Sequence, residues 1–224
     1  DMFWIDIDDE NGLKKAEKAL IKQLGAKLHD GPVSTYINRP LSLRFSRHLA
    51  KFPISPNLIS FISFMFSMVA AGLFSIGDYM SLLVGGLLAQ LASIIDGCDG
   101  EIARLKYLES TVGGWFDAVL DRYADAFMLF GITWNTHLLN DSPAVWLVGF
   151  MAIIGSFMVS YTADKYDARM QRDFKKHIRI VLDIRVFLFF FGALLNQTFW
   201  TLVIIAALMN AESVRRIYAF RTEA

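Results

Sequence analysis

Between residues 96 and 121 the chain reads DGCDGEIARLKYLESTVGGWFDAVLD, which places Asp96, Asp99, Asp117 and Asp121 close together between apolar segments. On a helix with 100° per residue, the first two lie about 60° apart and the last two about 40° apart, so each pair shares a face. An ionisable side chain within a membrane helix costs about 2.5–3.5 kcal/mol and normally faces a cavity with a function. Two antiparallel neighbouring helices would bring the carboxylates of all four residues to one cavity.

The composition indicates a membrane protein. Of 224 residues, 54% are hydrophobic, which is high for a soluble domain. Segments with few charges lie at 54–76, 80–95, 113–134, 143–163, 186–195 and 199–209. A bilayer span needs about 20 mainly apolar residues. We therefore predict an all-α integral membrane protein with six transmembrane helices, with one long re-entrant pair over 182–214 as the alternative.

The distribution of charge predicts the orientation. Lys plus Arg number 22 and Asp plus Glu number 22, so net charge offers no argument for nucleic-acid binding. The predicted loops at 77–80, 137–142 and 196–198 contain no Lys or Arg, and every basic residue except Arg122 falls on the other side. The positive-inside rule then predicts a cell-membrane protein whose termini and carboxylate cavity are cytoplasmic.

An amphipathic helix is expected before the first span. Residues 36–52 read YINRPLSLRFSRHLAKF, with an apolar residue at every fourth position from Ile37 to Leu49 and basic residues between them. This pattern predicts a helix over 34–52 that lies in the membrane interface, or else a short cytoplasmic connector that packs on the bundle. Residues 1–33 are expected to be the tail of, or a linker from, an upstream cytosolic domain. Residues 53–224 form the predicted membrane domain.

Clustered carboxylates need a counter-charge, because like charges and low dielectric both disfavour their ionised forms. The stretch contains no histidine, and Cys98 is the single cysteine of the chain, so the ligands are oxygens. This set favours Mg²⁺, Mn²⁺ or Ca²⁺ over zinc, and four carboxylates can hold two ions, as in phosphoryl-transfer sites. Gly100, Ala103 and Gly113 leave one wall without large side chains, which suits a ligand or simply close helix packing.

The spacing resembles the signature of the CDP-alcohol phosphotransferase family, D-x2-D-G-x2-A-R-x8-G-x3-D-x3-D. It matches at Asp96, Asp99, Gly100, Ala103, Arg104, Gly113, Asp117 and Asp121. The resemblance implies a homodimer of six-helix subunits in which an alcohol attacks the β-phosphorus of a CDP-alcohol and CMP is released. It also implies an enzyme that depends on Mg²⁺ or Mn²⁺, with two ions in each site.

The family pattern suggests roles for these residues. Metal ligands are expected at Asp96, Asp99, Asp117 and Asp121, with Asp121 also the catalytic general base. The wall of the nucleotide pocket is expected at Gly100, Ala103, Arg104 and Gly113, and we add Asn57 at the start of the first span as a further nucleotide-binding candidate.

Shorter stretches resemble one branch of the family. The opening WIDID at 4–8 resembles the tail of a cytidylyltransferase domain. Residues 30–39 and 183–188 are similar to bifunctional cytidylyltransferase/phosphotransferase enzymes, which make CDP-inositol and couple it to inositol phosphate. The product implied is di-myo-inositol phosphate phosphate. The alternative is a phospholipid synthase that uses CDP-diacylglycerol, of the phosphatidylinositol-phosphate or phosphatidylglycerophosphate type. A cation channel or transporter is the alternative from another class, although carboxylates confined to one end of the bundle argue against a continuous path.

Basic residues follow the fourth predicted span. Lys165, Arg169 and Arg185 would supply counter-charge to a phosphorylated acceptor. Positive-inside topology and attraction to anionic lipid account for the same residues equally well. Arg122 is expected to pair with one of the motif carboxylates.

Overall fold

The computed structural model describes residues 9, 12, 32–170 and 180–222, and side chains at 9, 12, 32–162 and 184–218. The described part is helical throughout, as predicted. A π-helical turn, Ser34–Asn38, leads into α1 (Arg39–Leu49), α2 (Pro56–Phe74), α3 (Tyr79–Leu105), α4 (Thr111–Leu139), α5 (Pro143–Met170), α6 (Ile180–Leu194) and α7 (Thr198–Thr222). The predicted segment 1–33 lies almost entirely outside the described residues.

Each predicted apolar segment overlaps one helix from α2 to α7. Within the described residues, three helices are long and apolar enough to cross a membrane, namely Pro56–Phe74, Tyr79–Leu105 and Pro143–Thr162, while Ile184–Leu194 is apolar but shorter. Six crossings therefore remain a prediction. Large apolar side chains stand on the outer surface, among them Phe150 at 60% and Trp200 at 59% exposure, as expected of a surface in contact with lipid.

Local capping and turn residues set the helix ends. Ser55, Asp78 and Ser110 each accept a hydrogen bond from the backbone N–H three residues later, at 3.3, 2.9 and 3.0 Å. Such N-caps satisfy an otherwise unpaired donor of the first turn. Between helices, Gly77 and Asn196 adopt positive φ angles of 93° and 55°. Turns are thus confirmed within the predicted loops at 77–80 and 196–198.

Helix α2 lies at the centre of the motif region. It packs against both α3 and α4, more extensively than these two pack against each other. Close approach depends on small residues, since a Cβ at Gly131 of α4 would lie only 2.5 Å from the carbonyl oxygen of Ala71. On the other side of α3, a Cβ at Gly86 would lie 2.8 Å from the Cβ of Ala193 on α6. The expectation that α3 and α4 are direct neighbours is therefore only partly met.

Helix α1 is amphipathic, with its polar side facing the bundle and its apolar side facing outward. Its polar residues Ser42 and Ser46 are buried against α3, and the apolar stripe predicted from sequence faces outward, with Ile37, Leu41 and Phe45 at 37%, 39% and 48% exposure. An outward apolar stripe is what a helix in the membrane interface would present to lipid. The location of α1 in that interface remains a prediction.

Candidate active site

Three of the predicted carboxylates converge at one end of the bundle. Asp96 and Asp99 on α3 and Asp117 on α4 each offer an oxygen such that all three atoms lie within 4.8 Å of one another. The side chains are half-buried, so a ligand can reach them. This arrangement is the oxygen-rich set that a hard divalent cation prefers.

Two serines of α2 form hydrogen bonds with two of these carboxylates. The hydroxyl of Ser60 donates to Asp99 Oδ2, and that of Ser63 lies 3.5 Å from Asp96 Oδ1. Hydrogen bonds of this kind orient metal-ligating groups. Sequence reasoning missed both serines, although Ser60, Ser63 and Ser67 recur at helical spacing in an otherwise apolar span and are all buried.

Asp121 lies one helical turn beyond Asp117. Among the described residues, it falls outside the group of carboxylate oxygens within 4.8 Å. Its Oδ2 atom is 3.8 Å from Nη2 of Arg122, and Nη1 of Arg122 is 3.7 Å from Asp125 Oδ2. Arg122 is thus close to carboxylates, as expected, and the division of roles between Asp117 and Asp121 stays a prediction.

A buried ion pair lies one turn further along α4. Asp125 Oδ1 is 2.6 Å from Nη2 of Arg185 on α6, and Arg185 also donates to Ser156 on α5. Both charged residues are buried, with exposures of 3% and 6%. Asp125 was not predicted, although it continues the four-residue spacing of Asp117 and Asp121. The side chains of the other predicted phosphate-binding residues, Lys165 and Arg169, lie outside the described residues.

The small residues predicted for the nucleotide pocket flank the carboxylates. Gly100 and Ala103 are half-buried on α3, as is Arg104 one residue later. A Cβ at Gly113 would lie 3.1 Å from Oδ1 of Asn57 on α2, so Asn57 stands beside the start of α4. The residues predicted for the nucleotide pocket therefore come from three helices, α2, α3 and α4.

Comparison with known proteins agrees with the site. Residues 53–211 match the CDP-alcohol phosphatidyltransferase family. The chain belongs to this family. The matched range contains the whole aspartate motif and its supporting serines, so the resemblance inferred from the motif is confirmed.

Relatives of this CDP-alcohol phosphatidyltransferase chain include bifunctional enzymes. It is 37% identical over 220 residues to a bifunctional IPC transferase and DIPP synthase of Rubrobacter xylanophilus, covering 97% of this chain and 49% of that protein. A protein of the same name from Archaeoglobus fulgidus is 34% identical over 92% of this chain and 42% of its own length. The chain thus spans about half the length of these curated relatives.

The fold of the family domain also occurs in a solved structure. The crystal structure of Mycobacterium tuberculosis phosphatidylinositol phosphate synthase with CDP-DAG bound matches with a TM-score of 0.62 and 19% identity, over 80% of this chain and 92% of that one. Together with the apolar helices, this fold indicates an integral membrane protein.

One further element beside the aspartate motif was missed from sequence. Glu101 occupies a variable position of the motif, yet its side chain is fully buried. Its carboxylate pairs with Nη1 of Arg39 at 2.8 Å and accepts hydrogen bonds from Ser42 and Ser46 at 2.7 and 2.6 Å. These contacts fasten α1 to the helix that carries the first two motif aspartates.

Proposed function

We propose that this chain transfers a substituted phosphate from a CDP-alcohol to an acceptor alcohol and releases CMP. The observation that carries the proposal is the convergence of Asp96, Asp99 and Asp117 oxygens within 4.8 Å, inside the range that matches the family. A cluster of carboxylates that adjoins a stretch of small residues on α3 suits a pyrophosphate that is bound through divalent cations.

The residues present fit such cations. The donor set consists of carboxylate oxygens, and the buried hydroxyls of Ser60 and Ser63 fix two of the three side chains. We assign Asp96, Asp99, Asp117 and Asp121 as the residues that would hold Mg²⁺ or Mn²⁺, two ions in each site. When bound, the metal would neutralise the pyrophosphate and stabilise the negative charge that develops on the leaving CMP.

Asp121 is assigned as the general base. Its carboxylate accepts the proton of the acceptor hydroxyl as that oxygen forms a bond to the β-phosphorus. The bond between the β-phosphorus and the bridging oxygen breaks, and its electron pair leaves with CMP. A positioned base contributes about 10²–10⁴-fold to such a rate. Nη2 of Arg122 lies 3.8 Å from Oδ2 of Asp121 and supplies a positive charge beside the proposed base.

The two sides of the carboxylate cluster are assigned to different substrates. The cytidine side is the wall formed by Gly100, Ala103, Arg104, Gly113 and Asn57. The acceptor side is the region of Asp121 and Arg185, with Lys165 and Arg169 further along the chain. Arg185 is already paired with Asp125, so the guanidinium of Arg185 would contact an acceptor phosphate and the Asp125 carboxylate at the same time.

For the substrates, we propose CDP-inositol as donor and inositol phosphate as acceptor, with di-myo-inositol phosphate phosphate as product. This assignment rests on the relatives named bifunctional IPC transferase and DIPP synthase, of which the chain spans about half. We further propose that the chain acts as a homodimer in the cell membrane, with its termini and active site facing the cytoplasm. The absence of Lys and Arg from the loops at 77–80, 137–142 and 196–198 supports this orientation.

The test is a CMP-release assay. Purified protein in detergent with Mg²⁺ is supplied with CDP-inositol and inositol phosphate, and separately with CDP-diacylglycerol and inositol phosphate. We expect CMP and di-myo-inositol phosphate phosphate from the first pair, with no CMP from an Asp117→Asn variant. Absence of CMP from both pairs, with folded protein, would refute the proposed function, and CMP from the second pair alone would identify a phospholipid synthase.

A further inference from the structure

A small polar pocket adjoins the aspartate cluster on the side of α1. Its volume is about 180 Å³, and Asp96 and Asp117 form part of its wall. Ser34 and Asn38 from the π-helical turn and Ser93 of α3 also line it, together with Arg39 and Ser42 of α1 and Gly97 and Asp99 of α3. Pockets for drug-sized ligands measure about 300–1,000 Å³. The size therefore suits a single small ring better than a lipid.

The polar groups of this pocket are held in place by their neighbours. Nε2 of Gln90 donates to Oδ1 of Asn38 at 2.6 Å, and Nδ2 of Asn38 donates to Oγ of Ser93 at 3.1 Å. Asn38 is only 8% exposed, so its amide orientation is fixed by these bonds. Because Ser93 accepts in this pair, its hydroxyl hydrogen can be donated to a ligand. Hydroxyl and amide groups that are buried and oriented in this way match the edge of a polyhydroxylated molecule.

The pocket also has an apolar lining residue. Among the described residues that line it, Val186 of α6 is the hydrophobic one. A cyclic polyol has hydroxyls at its rim and C–H groups on its faces, and both surfaces find matching partners here. An acyl chain would instead offer no hydrogen-bonding group to the polar side chains of Asn38 and Ser93, whose remaining hydrogen-bonding capacity would then be buried unused, which is unfavourable.

The position of the pocket relative to Asp121 decides which alcohol it takes. The β-phosphorus of a CDP-alcohol has three substituents to accommodate during transfer, namely the leaving CMP, the incoming acceptor oxygen and the retained donor alcohol. The acceptor must approach the base, yet Asp121 is not among the described residues that line this pocket. In the proposed function the CMP side is the wall that includes Asn57 and Gly113, which are not among the described lining residues either. The donor alcohol is the substituent left for this pocket.

We propose that the pocket between the π-helical turn and α3 is the subsite for the donor alcohol and that it takes a polyhydroxylated ring, with Asn38 and Ser93 as its hydrogen-bonding residues. This assignment rests on the proposed function. It goes beyond it in naming the residues that select a polyol donor over a lipid donor.

The test measures binding and turnover separately. The dissociation constants of CDP-inositol and of CMP are determined by titration calorimetry for the wild type, Ser93→Ala and Asn38→Leu. Loss of one hydrogen bond should weaken CDP-inositol about 5- to 10-fold, because an intramolecular or ligand hydrogen bond contributes about 1 kcal/mol. The dissociation constant of CMP and the KM of inositol phosphate should change by less than about twofold, since neither contacts the pocket.

Ser75→Ala is the matched control. Its hydroxyl lies at the opposite end of α2 and donates to the carbonyl oxygen of Ala71 at 2.9 Å, so its removal should leave all three constants unchanged. Thermal unfolding of each variant is recorded alongside. If Asn38→Leu lowers the melting temperature, the comparison is made on Ser93→Ala alone.

Two results would overturn the assignment. One is a rise in the KM of inositol phosphate while CDP-inositol binds as in the wild type, which would make the pocket an acceptor site. The other is wild-type protein that binds CDP-diacylglycerol as tightly as CDP-inositol. If no donor releases CMP, the proposed function fails, whereas the binding comparison still decides what the pocket accepts.

Discussion

Asp96 and Asp117 contribute negative charge to the site, so replacing them is the most direct test of metal binding. Replacing either by Asn should abolish CMP release and weaken Mn²⁺ binding, because one negative charge is lost from a set whose oxygens lie within 4.8 Å. Mn²⁺ titration followed by electron paramagnetic resonance measures the binding. Asp78→Asn is the control, since Asp78 is exposed between α2 and α3 and Asn preserves its N-cap. Near wild-type turnover of either site variant at saturating Mg²⁺ would show that the metal assignment is wrong.

Asp121 is distinguished from these ligands by its place outside the three-carboxylate group. As a base it acts on the acceptor proton, so Asp121→Asn should lower kcat by about 10²–10⁴-fold and leave Mn²⁺ and CDP-inositol affinity close to wild type. Rapid-quench measurement of CMP formation gives the rate. A residue that acts only as a ligand would lose Mn²⁺ affinity instead, and raising Mg²⁺ or Mn²⁺ would restore the rate to within a few-fold of the wild type.

Ser60 tests whether α2 orients the ligands. The hydroxyl donates to Asp99, and loss of a supporting hydrogen bond typically weakens metal affinity about 10–100-fold. We expect a loss of this size in Mn²⁺ titrations of Ser60→Ala and no change for Ser75→Ala, which removes a hydroxyl of the same helix away from the site. An unchanged Mn²⁺ affinity in Ser60→Ala would leave the serine with a packing role alone.

At the scale of elements, α1 is attached to α3 through Glu101, which forms a buried ion pair with Arg39 and accepts hydrogen bonds from Ser42 and Ser46. The side chains of Arg39 and Glu101 are 9% and 0% exposed and lie 2.8 Å apart. Removing one partner of such a pair strands the other charge and costs about 3–5 kcal/mol, whereas an apolar pair of similar volume is often neutral. Glu101→Leu alone should therefore lower the melting temperature in detergent markedly, and adding Arg39→Met should recover most of the loss. A double variant no more stable than the single one would show that the pair is not what holds α1.

Local patterns predict the helices well and the contacts between them poorly. The apolar runs, the caps and the turn at Gly77 are properties of neighbouring residues, so the six helices of the membrane domain follow from them. The convergence of Asp96, Asp99 and Asp117 also follows, because a single short turn joins their helices. Helix α2 packs more closely against α3 and α4 than these two helices pack against each other. This arrangement depends on contacts between residues far apart in the chain, which local sequence periodicity does not reveal.

The missed site residues share this cause. In the sequence, Ser60 and Ser63 look like small polar residues that an apolar helix tolerates. Their role becomes visible only in the fold, where they contact Asp99 and Asp96. Asp125 finds its partner Arg185 on another helix, and Glu101 finds Arg39 on a helix far upstream in the chain. Buried ion pairs of this kind are visible only once the helices are assembled, because burial and pairing are properties of the packed bundle.

The whole molecule separates its two ends by charge. In the described part of the chain, the aspartate cluster and the buried pairs Arg39–Glu101 and Asp125–Arg185 lie towards the end at which α3 and α4 are joined. In the sequence, the loops at 77–80, 137–142 and 196–198 contain no Lys or Arg. CDP-alcohols and CMP are charged and water-soluble at their nucleotide end, so the site must open to an aqueous compartment that holds nucleotides. Both arguments favour the cytoplasm for the carboxylate end.

This orientation can be tested by cysteine labelling in intact cells. Cys98 is fully buried and is replaced by Ala to give a cysteine-free background. New cysteines at Asn140 and Gln197, which are exposed in the turns before α5 and α7, should react with a membrane-impermeant maleimide from outside. A cysteine at exposed Glu109, in the turn between α3 and α4, should react only after the cells are opened. Labelling of all three from outside would contradict both the six-crossing topology and the cytoplasmic site, because Glu109 adjoins the helix that carries Asp117.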